Sequence, residues 1–293
     1  MAHEDVYLGL SGIDLDGRSF ELGEGISLTP AYAHLFSTDV MAFERPRTPG
    51  TFHPGPWHAT SRKPGRDVSA CLFIPRSLEV GQLPPLATGM TVISLLRLWV
   101  DPAVCLEVMT RVPLHTYQNA AADKVGGAQV AMLFSTYERH VRIGLAEADG
   151  YLERFDWVID HWRAAAELRA SKAEFELAIQ TFDNAQCIPN TAMMLVSLWG
   201  AIEAIFSPHK AELVFRASAQ LAAYLEPRGS KRLELQRKIA KMYGLRSAAA
   251  HGAPKHAAED VVETYSLLRM AIIRMIERRE VPSKERLEEL LFT

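Results

Sequence analysis

The stretch from Ala192 to Phe206 constrains the fold more than any other part of the chain. It is apolar on almost every face, and Glu203 is the only formal charge between Asn184 and Phe206. A helix that is apolar all round has to be enclosed by other elements. The apolar run begins near Ile188 but contains Pro189 and Asn190, and it is shorter than the roughly 20 residues that cross a bilayer. It therefore reads as the central, fully buried helix of a helical domain. A carboxylate inside such a helix needs a partner, because isolated burial of a charge is costly. Arg246 is the simplest candidate and Arg216 competes with it; a solvent-facing helix edge at Glu203 is the alternative.

Around that helix the sequence has two grammars. From about Ala128 onward the apolar spacing is helical. Trp157, Trp162 and Leu168 share one long helical region, and Phe175, Ala178, Ile179 and Phe182 follow the i, i+3, i+4, i+7 spacing. Ala211 to Leu225 is stopped by Pro227 and Gly229, and Ser230 to His251 by Gly252 and Pro254, the usual C-terminal punctuation. Val261 to Ile276 forms a further helix before a charged tail containing Pro282. The first half instead reads as strand and turn. Val6 to Ile13 and Phe20 to Ile26 are short runs, the second ending before Thr29-Pro30. Val68 to Pro75, Met90 to Val100 and Val104 to Val112 read as further strands. Between Glu44 and Arg66 lies a loop with Pro46, Pro49, Pro54, Pro56 and Pro64. The expectation is an α+β protein, with a β-rich N-terminal domain over 1–125 and an all-α bundle over 126–293.

The chain has 293 residues, 48% of them hydrophobic and 23% charged, the balance of a folded chain. Its net charge of −3 gives no global attraction to nucleic acid, so any such contact has to be local. Cys71, Cys105 and Cys187 are odd in number and far apart, which gives neither a disulfide framework nor metal-type spacing and fits a reducing cytoplasm. The acidic N-terminus has no apolar run behind it, so no signal peptide and no membrane partner are expected. No metal and no cofactor are expected either. His53 and His58 have a spacing suited to a metal only on a helix, and they lie in the Pro-rich loop. Arg45, Arg47, Arg62, Lys63 and Arg66 make that loop basic; it is either a solvated loop or a guide for RNA or a partner. Trp157 and Trp162 read as core, and His256 as a surface residue at a helix start.

The helix from Ser230 carries the chemistry. Leu235, Ile239 and Met242 form one apolar stripe, and the next position on it is Arg246. A guanidinium in a core-facing row has to be paired, reach a cleft, or snorkel at the domain edge. His251 follows five positions later, which at about 100° per residue puts it roughly 140° round the helix and about 7.5 Å along it. Either the last turn unwinds or a second copy of the chain completes the site. A histidine before a C-terminal glycine also caps the helix by bonding free carbonyls. From Arg228 to Arg246 there are seven basic residues and one acid, Glu234. That excess suits a phosphate backbone, with Lys231, Arg237, Lys238 and Lys241 as the candidate RNA-binding side chains, and it also suits a solvated face.

Two segments together carry a family resemblance. Leu198-Trp-Gly-Ala-Ile-Glu203-Ala-Ile-Phe206, followed by Met242-Tyr-Gly-Leu-Arg246-Ser-Ala-Ala-Ala-His251-Gly252, resembles the HEPN superfamily, and within it the Apea-like group. The likeness covers roughly Tyr151 to Glu280. Its signature is an Arg, four to six residues, then His, with a polar residue after the Arg. Ser247 fills that place here, where Asn, Asp or His is more usual. Leu8 to Ile26 is more weakly similar to the β-rich N-terminal region of Apea-like proteins.

The resemblance implies a four- or five-helix bundle, commonly dimeric, and in many members a metal-independent endoribonuclease of toxin or antiphage systems. Arg246 and His251 would then be the catalytic pair, facing their counterparts across a homodimer. His251 suits the base that takes the 2′-hydroxyl proton. A forked guanidinium at Arg246 suits the charge on the phosphoryl oxygens. Ser247 would orient either group, and Glu203 would fix Arg246. A phage or cellular trigger ligand on the N-terminal domain is a further expected partner. The alternatives are a non-catalytic dimerisation or sensing module and a nucleotide-binding or antitoxin-paired protein.

Overall fold

Alternating side chains build the first half. In Val6–Ser11 (β1) Leu8 and Leu10 are fully buried on one face while Tyr7 and Ser11 turn to the other. The computed structural model describes residues 4–36, 38–61, 65–116, 132–133, 139–144, 151–206 and 213–292. The other strands are Phe20–Gly23 (β2), Ile26–Leu35 (β3), Thr38–Ala42 (β4), Trp57–Ser61 (β5), Arg66–Ile74 (β6), Cys105–Thr110 (β7) and Met132–Leu133 (β8). Six of them form an antiparallel sheet in the order β2-β3-β6-β1-β7-β8, while β4 and β5 pair as a separate hairpin. The protein is thus α+β, with the sheet in the N-terminal region and the bundle of helices in the C-terminal region.

The run expected to be a strand from Met90 to Val100 is helical. Pro85–Leu95 (α1) is followed by a π-type turn over Leu96–Val100, closed by the Asp101 amide on the Leu96 carbonyl at 2.9 Å. A run that is apolar at nearly every position carries no period, so Thr91, Val92 and Ile93 bias the reading toward strand. Pro85 at the first helical position and burial between sheet and helices decide otherwise. The Thr91 and Ser94 hydroxyls donate to the carbonyls four residues back, at 2.9 Å each. At Gly89 the helix comes so close to the sheet that a Cβ would stand 2.5 Å from a Leu8 methyl.

Three other boundaries move. Phe20 to Ile26 is two strands with a turn at Glu24-Gly25, and the second continues through Pro30 to Leu35. The expected 44–66 loop returns as β5 from Trp57. Ala128 itself lies outside the described residues; Met132–Leu133 pairs with β7 as a strand, and among the described residues the next helix starts at Arg154. Residues 117–131, which include the expected domain boundary at 125, lie outside the described residues, as do Arg62, Lys63 and Ala211.

The later helices are Arg154–Ser171 (α2), Ala173–Asn184 (α3), Thr191–Phe206 (α4), Leu213–Leu225 (α5), Ser230–Ala250 (α6), Ala258–Arg278 (α7) and Lys284–Phe292 (α8). The charged tail thus holds a helix where none was expected, seated on α5 by Leu287. Helix α4 starts under an Asn190 cap, whose Oδ1 accepts the Ala192 and Met193 amides at 2.9 and 3.2 Å. It packs against α3, α5, α6 and α7, with Leu195, Leu198, Trp199 and Ile202 fully buried. Enclosure is not complete: Met193 and Ala204 are exposed and Gly200 is half-buried, one narrow stripe of mostly small residues.

One continuous core runs from the inner face of the sheet through α1 into the helices. Phe20 of β2 stacks on Phe155 of α2 at 4.4 Å, and Trp162 donates its indole N–H to the Leu22 carbonyl at 2.8 Å. Trp157 is stacked between Trp99 and His161. A mostly buried ion pair, Arg97 Nη1 to Asp183 Oδ1 at 3.2 Å, ties the π-type turn to α3, and Ser94 also donates to Asp183. Among the described residues no helix is long and apolar enough to cross a membrane.

Candidate functional site

Helices α4 and α6 bring together the two charges that the sequence left misplaced. Arg246 Nη2 lies 3.1 Å from Glu203 Oε2, and the two side chains are 24% and 21% exposed. Arg246, rather than Arg216, is therefore the partner of Glu203. The guanidinium also sits over the Tyr243 ring, 5.5 Å from its centroid, and Tyr243 meets Trp199 edge to face at 5.1 Å. Burial, and then the neighbouring Glu203 carboxylate, push the Tyr243 phenol up to about 12. The sequence offered a signal for this tyrosine: three positions before Arg246, it shares the helix face that carries the arginine.

The pairing is incomplete. Glu203 Oε1, Arg246 Nε and the Trp199 indole N–H are buried atoms without a hydrogen-bond partner. A carboxylate fully occupied by a structural arginine normally accepts on both oxygens. Here one acceptor and two N–H groups are enclosed beside the pair, and the Tyr243 phenol lies against the same carboxylate.

The end of α6 does not unwind. The His251 amide bonds the Ser247 carbonyl at 3.2 Å, so the last turn is regular. Gly252 is left-handed at φ 75°, its amide bonds Ala249 O at 3.2 Å, and the Ala253 amide bonds Ala248 O at 2.9 Å. This is a Schellman closure, with His251 at the cap position and exposed. The His251 ring and the Ser247 hydroxyl bond no other described residue. With the helix regular, His251 points roughly 140° away from Arg246. One chain therefore presents the two groups on different faces.

The cations of α6 divide by role. Arg232 bonds the Glu226 and Leu290 carbonyls at 2.9 Å each, and Arg228 bonds the Phe292 carbonyl at 3.2 Å, so both fasten the chain end. Lys238 is ion-paired with Glu263 of α7. Lys231, Arg237 and Lys241 are exposed and carry no ion pair among the described residues. Arg237 and Lys241 share the helix face that continues through Gly244 and Ala248 to His251, within about 80° of arc.

Other singled-out residues are elsewhere. His256 is half-buried and its Nε2 lies 3.0 Å from Thr191 Oγ1, which links the start of α7 to the start of α4. His53 Nδ1 contacts the Glu44 carbonyl at 3.2 Å, and His58 meets the Phe43 ring edge-on. No protein-family model, curated protein or solved structure matches the chain.

Proposed function

We propose that the chain is a metal-independent endoribonuclease of the HEPN type, acting in the cytoplasm in a toxin or antiphage role, as a homodimer whose site combines Arg246 of one protomer with His251 of the other. One observation carries this reading: a partly exposed guanidinium, held by Glu203, and an exposed imidazole stand on one regular helix, on faces that a single chain cannot converge. Two copies packed through this part of the bundle would set each arginine opposite the partner's histidine.

In the proposed reaction the 2′-hydroxyl of one nucleotide attacks the adjacent phosphorus. His251 takes the hydroxyl proton as the O–P bond forms, and the bond to the 5′-oxygen breaks to leave a 2′,3′-cyclic phosphate, the departing 5′-oxygen taking a proton from water to become a hydroxyl. Arg246 holds the charge on the non-bridging oxygens, and Glu203, with the Tyr243 ring beneath, keeps the guanidinium in place. Ser247 has a free hydroxyl for a phosphate oxygen. Arg237, Lys241 and Lys231, with Lys238 beside Glu263, supply the cationic approach along α6 for the strand. Purified protein incubated with single-stranded RNA in EDTA should produce 2′,3′-cyclic phosphate ends. A metal requirement with 3′-hydroxyl ends would rule the mechanism out.

A second reading has an observation of its own. Arg246 is held by both Glu203 and Tyr243, as a purely structural arginine would be. In that reading the helices form a non-catalytic dimerising, sensing or nucleotide-binding module. An intact RNA substrate in the same experiment, with a dimer in solution, supports it.

A further inference from the structure

Helix α1 covers one face of the sheet, and the opposite face of β1, β3 and β6 forms a groove of about 620 Å3. Within it Tyr7 and Phe73 are direct cross-strand partners whose rings pack against each other, centroids 4.8 Å apart and planes tilted by 33°. Ser27 stands opposite Phe73, and Thr29 opposite Cys71, so two hydroxyls border the rings from β3. The far wall is the segment after β7, Pro113 to His115. It is seated on the sheet by Leu114, whose Cδ1 would stand 3.3 Å from a Cβ at Gly9.

The chemistry of the lining selects among ligands. Among the described residues it contains no Asp, Glu, Lys or Arg. Arg111, the cation nearest in sequence to the wall, is paired with Glu4 at 2.7 Å, and the Tyr7 phenol is raised by burial and then by the Asp5 carboxylate and Cys71. An anion would find no countercharge here. By contrast, the hydroxyls of Tyr7, Ser27, Thr29 and Tyr32 bond no other described residue, and neither does His115. Ring faces with donors and acceptors around them suit a flat, polar-edged molecule, and the volume falls within the roughly 300–1,000 Å3 of small-molecule sites.

We propose that this groove binds an uncharged planar heterocycle of the nucleobase or nucleoside class, stacked on the outward face of the Tyr7–Phe73 ring pair and read at its edge by Ser27, Thr29 and Tyr32. The site stands apart from the Arg246–His251 chemistry and does not depend on RNA cleavage. It gives the N-terminal region a ligand of its own.

The full chain, without RNA, is titrated calorimetrically with adenosine, guanosine, cytidine and uridine, and with their 5′-monophosphates. At least one nucleoside should bind saturably at one per chain, and its monophosphate about tenfold or more weaker for want of a cation. Tyr7→Ala should weaken binding about tenfold or more by removing a stacking surface. Thr29→Val, which keeps the shape and removes one hydroxyl, should weaken it by about five- to tenfold and decides the matter if Tyr7→Ala does not fold. Absence of saturable nucleoside binding in the millimolar range, monophosphates that bind as well as nucleosides, or a folded variant that binds like wild type would each overturn the proposal.

Discussion

Removing the Glu203 charge is the perturbation whose size the geometry bounds best. Exposed ion pairs contribute about 0–1 kcal/mol, whereas stranding one partner of a buried pair costs about 3–5 kcal/mol. Glu203 and Arg246 are 21% and 24% exposed and share one contact at 3.1 Å, so they lie between these limits. Glu203→Gln is expected to cost about 2 kcal/mol, which at about 2 °C per kcal/mol for a chain of this size lowers the melting temperature by about 4 °C. Arg246→Met should cost a similar amount. The double variant should cost about 1–2 kcal/mol less than the sum of the two, because neither charge is then stranded. Tyr243 supplies an independent readout. The Glu203 carboxylate helps hold the phenol near 12, so Glu203→Gln should move its titration downward while burial keeps it above the ordinary value of 10.0. Denaturant unfolding gives the cycle, and phenolate absorbance against pH gives the titration. Additivity within about 0.3–0.5 kcal/mol, together with an unmoved Tyr243, would refute the claim that the pair is coupled and beside that ring.

Other parts of the fold give equally direct tests. Gly12 has φ 70° and a Cβ there would stand 2.3 Å from the Ala103 carbonyl oxygen, so Gly12→Ala should destabilise by about 2 kcal/mol or more in a denaturant melt. Asp183→Asn strands Arg97 between the π-type turn and α3, both side chains being 13% exposed, and should cost about 3 kcal/mol, with Arg97→Met in the same background recovering part of the loss. Tyr224 and Tyr243 are each raised to about 12 by burial first, so the folded chain holds protons that the unfolded chain releases from pH 10 upward. The stability they contribute is full below pH 10 and is lost as pH climbs toward 12, by up to about 2–3 kcal/mol each. Unfolding measured from pH 8 to 12 should show that alkaline decline, smaller in Tyr243→Phe.

Periodic and punctuated segments were legible in the sequence. The α4 run, the Gly252 stop and the Phe175–Phe182 spacing all follow from local rules, and Arg246 was the simplest partner for Glu203, with the choice over Arg216 made by the crossing of α4 and α6. Met90 to Val100 misled because uniform burial erases the period that separates helix from strand, and only its packing between sheet and helices resolves it. Pro30 reads as a breaker, yet it lies in β3 beside a bulge between Pro30 and Ala33, where the irregular ladder tolerates it. The tail helix α8 depends on Leu287 meeting α5, a contact between distant segments. Within the site, the α6 charge count overstated the open surface: Arg228 and Arg232 bond carbonyls of or near the chain end, and Lys238 has Glu263. Tyr243 was visible as a neighbour of Arg246, but its role follows from the crossing of α4 and α6.

The claim that a second copy completes the site has its most direct test in RNA cleavage by mixed protomers. Wild-type protein, Arg246→Ala, His251→Ala and an equal mixture of the two variants, unfolded and refolded together, are compared on single-stranded RNA in EDTA. The account expects cleavage by wild type and almost none by either variant alone. In the mixture it expects recovery toward about a quarter of wild-type activity, since half of randomly paired dimers are mixed and each keeps one intact Arg–His combination. Cleavage by wild type with no recovery in refolded mixed dimers would place both groups in one chain, and RNA left intact by wild type would contradict the ribonuclease reading itself.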